Sequence, residues 1–268
     1  MSASANPPSA RLLEVAGLTR HFGGLKAVSD LNFHVAEREI LGIIGPNGAG
    51  KTTAINLVSG VIRPSGGQVR LAGEDITGLP PHVLARKGLV RTFQSTTVYG
   101  DRTVHENAMR GAFLGLYPGF VSAFIDTPRA RRMRADTERL VGELLEWLNL
   151  SEVAHLKAGS LPYGYQKTLG MVITLAAQPR IVMLDEPVAG LSAEEADHVR
   201  DTILKIRERG ITVIVIDHNM RFMKGLCDRV MVMNQGHELT TGLPLEVLAN
   251  PQVIEAYLGR GHAAAHRI

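Results

Sequence analysis

The sequence has few cysteines, few aromatic residues and no long apolar run. Of its 268 residues only Cys227 is a cysteine, and aromatic residues make up 5%. A single cysteine excludes an intrachain disulfide and is typical of a reducing compartment. No apolar run approaches the roughly 18 residues that span a bilayer, and the first ten residues lack the basic and apolar regions of a signal peptide. We therefore expect any role at a membrane to be exerted from its cytoplasmic side through partners.

The chain also has little excess charge of either sign. It contains 29 basic and 26 acidic residues, which gives a formal net charge of +3. This excess is too small to indicate nucleic-acid binding. The hydrophobic fraction of 45% is enough for one globular domain with an inserted subdomain.

Strand-like and helix-like patterns alternate along most of the chain. RLLEVAGLT and AVSDLNFHV alternate as half-buried strands do, whereas EILGIIG, RIVMLD and ITVIVID are short runs typical of buried parallel strands. The pattern between Thr103 and Ala177 is mainly helical, and DRVMVMNQGHELTTG predicts a hairpin that turns near Gln235 and Gly236. The sequence therefore predicts an α/β core interrupted by a helical insertion.

GPNGAGKTT is the strongest motif, because it directly follows a predicted buried strand and precedes a predicted helix. Its glycines allow backbone N–H groups to turn toward an anion, and the helix N-terminus adds a favourable dipole. Lys51 is expected to reach the β- and γ-phosphates of a nucleotide, and Thr52 to bind Mg²⁺. The expected nucleotide contacts are Gly45, Pro46, Asn47, Gly48, Ala49, Gly50, Lys51, Thr52 and Thr53.

A second motif, IVMLDE, places two carboxylates at the end of a hydrophobic strand. Charges at such a position are costly unless they face a site. We expect Asp185 to hold Mg²⁺, and Glu186 to orient or deprotonate the attacking water. The alternative, acidic residues that merely start a turn, is weakened by the phosphate loop upstream.

Together these motifs resemble the ATP-binding-cassette (ABC) ATPases from about Leu12 to Gly259. The resemblance implies an α/β P-loop NTPase fold with a RecA-like core, an antiparallel β subdomain and an inserted α-helical subdomain. We expect a single domain over 11–260, with the helical subdomain at about 95–177. Residues 1–10 are expected to be a disordered tail and residues 261–268 a flexible one.

The resemblance assigns three further site residues. Gln94 matches the family glutamine that links Mg²⁺ and water to the membrane subunits, and the alternative is a polar cap on a strand end. His218 matches the γ-phosphate sensor, although a histidine there can also be structural. Phe22 matches the adenine-stacking position, and the alternative is an aromatic ring that packs a strand end.

One loop departs from the family pattern. The family's signature loop, usually Leu-Ser-Gly-Gly-Gln, contacts the nucleotide of the other subunit, and its serine hydroxyl contacts the γ-phosphate. It is matched here by Leu161, Pro162, Tyr163, Gly164 and Tyr165. The hydroxyl is missing, but a helix follows whose N–H groups can still face an anion. A second departure is AGLS at 189–192, where the family often has Asp at the last position; here Ser192 and Glu195 are expected to form a capping box for the next helix.

A closer resemblance is to ATPase subunits of importers for branched-chain amino acids, urea and related small amides or acids. RHFGGLKAV, GVIRPSGG, the insertion GFVSAFIDTPRARRMR and the ending NPQVIEAYLG carry it. Arg129–Arg134 within the insertion are expected to be a solvated helix start rather than a lipid contact.

The resemblance implies ATP and Mg²⁺ as cofactors, and a peripheral position on the cytoplasmic face of the inner membrane. The expected partners are two permease subunits, a second ATPase subunit that is a different chain or a second copy, and indirectly a substrate-binding protein. We expect no nucleic-acid partner, because the long coiled coil of DNA-acting cassettes is missing. Two alternatives stay open: the ATPase of lipopolysaccharide export, and a regulatory nucleotide-binding module with little turnover.

Overall fold

The computed structural model of the protein describes residues 11–92, 98–116 and 128–258. The strands are β1 (Arg11–Phe22), β2 (Leu25–Ala36), β3 (Ile40–Ile44), β4 (Gly66–Leu71), β5 (Glu74–Asp75), β6 (Leu89–Arg91), β7 (Ile181–Asp185), β8 (Thr212–Ile216), β9 (Arg229–Asn234) and β10 (His237–Gly242). The helices are α1 (Lys51–Val58), α2 (Pro81–Arg86), α3 (Val104–Leu116), α4 (Pro128–Trp147), α5 (Tyr163–Leu175), α6 (Ala193–Glu208), α7 (Met220–Leu226), α8 (Pro244–Leu248) and α9 (Pro251–Leu258). The described parts of 1–80 and 206–268 form one compact unit, and those of 81–205 form a second.

The first unit contains an antiparallel sheet with the strand order β2-β1-β4-β5. Leu13, Val15 and Leu18 of β1 are buried, while intervening positions are partly or fully exposed, as expected of half-buried strands. This sheet confirms the predicted antiparallel β region.

A parallel arrangement in the same unit carries the phosphate loop. Strand β3 lies between β8 and β9 and is parallel to both, and β9 forms a hairpin with β10. Every residue of β3 and β8 is buried, which is typical of parallel strands covered on both faces. The turn at Gln235 and Gly236, both with positive φ, confirms the predicted hairpin.

The second unit combines a parallel strand pair, β6 and β7, with the helices of the predicted insertion. Helix α3 packs against α4 and α5. A Cβ atom on Gly111 would lie 2.0 Å from the carbonyl oxygen of Ile173, so a glycine is needed where α3 approaches α5. The predicted helical character of this region is confirmed for its described residues, and its start near residue 95 lies outside them.

The expected tails, 1–10 and 261–268, also lie outside the described residues. Helix α4 begins at Pro128, and Arg131, Arg132 and Arg134 are exposed on it, so the solvated helix start stays a prediction. Across the described part of the chain, no helix combines the length and apolar character that a membrane span requires.

Candidate functional site

The phosphate loop connects the buried strand β3 to helix α1. Gly45 and Gly50 both have positive φ, at 152° and 96°. A Cβ atom on Gly45 would lie 2.2 Å from the carbonyl oxygen of Met233, and one on Gly50 would lie 2.6 Å from that of Ala27. These two glycines are therefore required by neighbouring backbone as well as by the loop's conformation.

The N-terminus of α1 has the character of an anion-binding site. Gly50 is its N-cap and makes no side-chain cap hydrogen bond, and the first turn contains no acidic residue. The helix dipole and the first N–H groups thus favour an anion at this end. Lys51 Nζ donates to the carbonyl oxygens of Gly45 and Pro46, at 2.7 and 3.1 Å, which holds its ammonium group beside the loop.

Two other segments of the same unit support the loop. The Gly236 N–H, in the β9–β10 turn, donates to the Ala49 carbonyl at 2.9 Å. Tyr257, on α9, has its hydroxyl close to the backbone of Gly45. Burial raises the pKa of this phenol to about 12, and the Gly45 backbone opposes part of the rise. The C-terminal helix therefore reaches the start of the phosphate loop.

His218 follows β8 and is largely exposed, with 64% of its side chain accessible. The preceding Asp217 is buried and accepts a hydrogen bond from the Asn219 N–H at 2.9 Å, while Asn219 caps α7 through the Phe222 N–H. These bonds fix the backbone on both sides of His218. The imidazole is thus accessible on an ordered segment, as a phosphate sensor requires.

Phe22 lies at the end of β1 with 42% of its surface exposed. The guanidinium of Arg20 lies 4.7 Å from the centre of its ring, a distance suitable for a cation–π contact. The ring is therefore partly accessible, and its stacking on adenine stays a prediction.

In the second unit, Asp185 ends the fully buried strand β7. Its Oδ2 accepts a hydrogen bond from Arg91 Nη2 at 2.7 Å, and both side chains are less than 10% exposed. Arg91 ends the neighbouring parallel strand β6. The guanidinium compensates the buried negative charge. Arg91 has no role among the sequence predictions, although an arginine at the end of a buried strand is a signal for one.

Glu186 has a φ of 47°, in the left-handed region that non-glycine residues seldom adopt. Its carbonyl accepts a hydrogen bond from the Ala189 N–H at 3.2 Å, which closes a tight turn directly after the strand. Such backbone strain is concentrated at functional sites.

The signature-like loop opens helix α5. Pro162 is the N-cap and provides no side-chain hydrogen bond, while Leu161 is buried and its carbonyl accepts from Gln166 Nε2 at 2.9 Å. Tyr163 and Tyr165 are exposed, and Gly164 is buried between them. Ser192 and Glu195 form the predicted capping box of α6, with N–H bonds of 2.9 and 3.3 Å.

The predicted Mg²⁺ ligands all have oxygen donors, which is the chemistry that Mg²⁺ prefers. Asp185 provides a buried carboxylate and Thr52 an exposed hydroxyl, and Gln94 lies outside the described residues. No group of three or more histidine, cysteine, aspartate or glutamate residues in the described ranges could hold a metal ion. Each of these oxygen donors is of the type that suits Mg²⁺, and their common site stays a prediction.

Each unit thus contains some of the predicted site residues. The first holds the phosphate loop, His218 and Phe22, and the second holds Asp185, Glu186 and the loop from Leu161 to Tyr165. The roles of these side chains remain predictions.

The sequence matches the ABC transporter family over residues 28–189, more than half of the chain. The chain belongs to this ABC transporter family. ATP-binding cassettes of the family hydrolyse ATP to power transport, so the predicted fold and the predicted ATPase class are confirmed. The family of branched-chain amino acid ATP-binding cassette transporters also matches, over residues 239–263.

Individual relatives cover nearly the whole cassette. The high-affinity branched-chain amino acid transport ATP-binding protein BraF of Pseudomonas aeruginosa is 43% identical over 92% of this chain and 98% of its own length. LivG of Escherichia coli, with the same description, is 40% identical with the same coverage. The lipopolysaccharide export system ATP-binding protein LptB of Haemophilus influenzae is 34% identical over 92% of this chain and 97% of its own.

Solved cassettes share the fold. A nucleotide-free ATP-binding cassette from an ABC transporter superposes with a TM-score of 0.83 at 29% identity, over 93% of this chain and 100% of its own. The ADP conformation of an ATP-binding cassette has the same TM-score and identity, over 94% and 100%.

Proposed function

We propose that this protein is the ATP-hydrolysing subunit of an importer for branched-chain amino acids or a related small amino acid, amide or carboxylate. The observation that carries the ATPase role is the uncapped N-terminus of α1 beneath a glycine loop, with Lys51 held beside it. The substrate class is supported by the greater identity to BraF and LivG than to LptB, and by the match over residues 239–263.

In this proposal the phosphate loop binds the nucleotide phosphates through backbone N–H groups, and Lys51 leaves its carbonyl partners for the β- and γ-phosphates. Thr52, Gln94 and Asp185 would hold Mg²⁺, which would neutralise charge on the phosphates. Glu186 accepts the proton of the attacking water.

Three further contacts complete the proposed site. His218 donates a hydrogen bond to the γ-phosphate, and Phe22 stacks on the adenine. The loop from Leu161 to Tyr165 contacts the nucleotide bound to a second ATPase subunit. Its contribution comes from backbone N–H groups at the start of α5, because Pro162 has no hydroxyl.

The proposed assembly contains two membrane permeases and a second ATPase subunit, and a substrate-binding protein delivers the cargo. The protein therefore sits on the cytoplasmic face of the membrane through the permeases. In this assembly, ATP hydrolysis by this chain powers transport, and the permeases and the binding protein select the substrate.

Uptake in proteoliposomes tests the proposal. The chain is reconstituted with the permeases, the second ATPase subunit and the binding protein that purify with it, and the entry of radiolabelled leucine, isoleucine, valine or urea is measured with enclosed ATP. We expect uptake that requires ATP and is lost in Lys51→Ala. Release of lipopolysaccharide to an acceptor without amino-acid uptake would identify the export system instead. Nucleotide binding without turnover in the full assembly would identify a regulatory module.

A further inference from the structure

Helix α5 begins without a cap from its own N-cap residue. Pro162 occupies the N-cap position and has no side-chain oxygen to accept a bond from the first turn. Gly164 lies two positions further, where an N-cap serine or threonine commonly accepts the backbone N–H. The first turn of α5 therefore needs an acceptor from elsewhere in the fold.

The carboxylate of Glu195 lies at this position. Its Oε1 is 3.3 Å from the place that a Cβ atom would take on Gly164, so only a glycine lets the carboxylate approach this closely without displacement. Its Oε2 accepts from the Ser192 N–H at 2.9 Å. Hydrogen bonds from Ser192, with a smaller contribution from the Gly164 backbone, hold the pKa of Glu195 below its ordinary value. One ionised carboxylate therefore lies at the start of both α5 and α6.

Neighbouring contacts join the same two segments. The Tyr163 ring lies 3.5 Å from where a Cβ atom would be on Gly190, and the Tyr165 ring stacks on His198 with ring centres 6.5 Å apart. Both tyrosines replace smaller or more flexible residues of the usual signature loop. The start of α5 and the segment 190–198 are therefore linked on both sides of Gly164.

We propose that Glu195 is the positioning residue of the signature loop: by accepting the Gly164 N–H it caps α5 in place of the missing serine hydroxyl and fixes the loop that faces the nucleotide of the neighbouring subunit. This inference rests on the proposed ATPase function. It explains how the loop works with a proline at position 162. Glu195 acts through Gly164 and does not itself touch the nucleotide.

Glu195→Ala in the assembled transporter is the direct test. We expect turnover at saturating ATP to fall by about tenfold, the order of effect for a misplaced transition-state donor. ATP binding by the same chain's phosphate loop should be unchanged, because the signature loop serves the other subunit's nucleotide. Glu195→Gln keeps an acceptor oxygen and should stay within about threefold of the unmodified protein.

The chain offers a matched control in the capping box of α3. Glu106 accepts from the Thr103 N–H at 2.8 Å and Thr103 accepts from the Glu106 N–H at 3.1 Å. Glu106→Ala therefore removes a similar cap at a helix that does not carry the signature loop. We expect it to lower thermal stability as much as Glu195→Ala while turnover stays within about twofold, because helix caps of this kind contribute similar free energies. Equal turnover in the two variants would reduce Glu195 to an ordinary helix cap.

Pro162→Ser tests the mechanism by rescue. A serine hydroxyl at the N-cap can accept the Gly164 N–H, so the double variant Pro162→Ser/Glu195→Ala should recover most of the lost turnover. No recovery, or a rise in turnover in Glu195→Ala alone, would overturn the proposal.

Lys51→Ala is assayed in parallel: if it retains full ATP-driven transport, the proposed ATPase function itself fails, whatever the Glu195 variants do.

Discussion

Arg91 Nη2 donates a hydrogen bond to Asp185 Oδ2 at 2.7 Å, with 8% and 4% of the two side chains exposed. The pair joins the ends of two neighbouring parallel strands, β6 and β7. Asp185 is also the carboxylate proposed to bind Mg²⁺. A cation of the protein therefore compensates this buried charge before any metal ion binds.

Replacing Arg91 by alanine should strongly destabilise the chain, because it leaves Asp185 buried without this partner. Removal of one member of a buried ion pair costs about 3–5 kcal/mol. Arg207→Ala is the matched control, since Arg207 and Asp228 form an exposed pair at 3.0 Å, and such pairs contribute about 0–1 kcal/mol. Chemical denaturation of both variants measures the difference. Similar losses would show that the Arg91–Asp185 pair is as weak as a surface pair.

Lys51→Ala should weaken ATP binding, because the ammonium group faces the phosphates in both the ground and the transition state. If the second ATPase subunit is a different chain with a complete signature loop, the nucleotide bound at Lys51 meets that complete loop. Removing Lys51 should then stop transport, while removing the partner's equivalent lysine should leave a measurable fraction. Uptake assays on the two single variants provide the comparison, and equal losses would indicate that the two sites work equally.

Cys227 should be chemically inert in the folded protein. It is buried, and desolvation, followed by the carboxylates of Asp228 and Asp217, raises its pKa from 9.0 to about 12. Because thiolate is the reactive form, maleimide labelling near neutral pH should occur only on unfolding and should report its rate. Rapid labelling of the native protein would contradict this burial.

The raised pKa of Cys227 makes the stability of the folded protein depend on pH at alkaline values. Above pH 9 the unfolded chain loses the Cys227 proton while the folded chain keeps it. The contribution of this proton to the free energy of unfolding is therefore complete below pH 9 and is lost as the pH rises toward 12. Tyr257 shifts in the same direction, from 10.0 to about 12. The pH dependence of unfolding should therefore be shallower in Cys227→Ala.

The fold was predictable because its central strands are short and mostly apolar and its turns contain glycine. Strands β3, β7 and β8 each consist of five buried residues, and their ends coincide with the predicted motifs. Short elements such as β5, with two residues, and the bulges of β1 carry no comparable periodic signal.

The candidate site was predictable only where its residues are consecutive. Gly45–Thr53 and the Asp185–Glu186 pair follow from local pattern. The Arg91–Asp185 bond joins residues 94 positions apart, and the approach of Glu195 to Gly164 depends on how α5 and α6 pack. Spacing along a single sequence does not encode such contacts, so both were found only in the structure.

Glu186→Gln in the assembled transporter tests the central claim, that ATP hydrolysis by this chain drives import. The variant keeps the shape of the side chain but removes the carboxylate that follows the strand end. ATP hydrolysis and labelled amino-acid uptake are measured together in proteoliposomes, with nucleotide binding measured on the same preparation. We predict retained ATP binding and a parallel loss of hydrolysis and uptake by about 10² to 10⁴, the scale of losing a general base. Unchanged hydrolysis, or uptake that persists without it, would contradict the account.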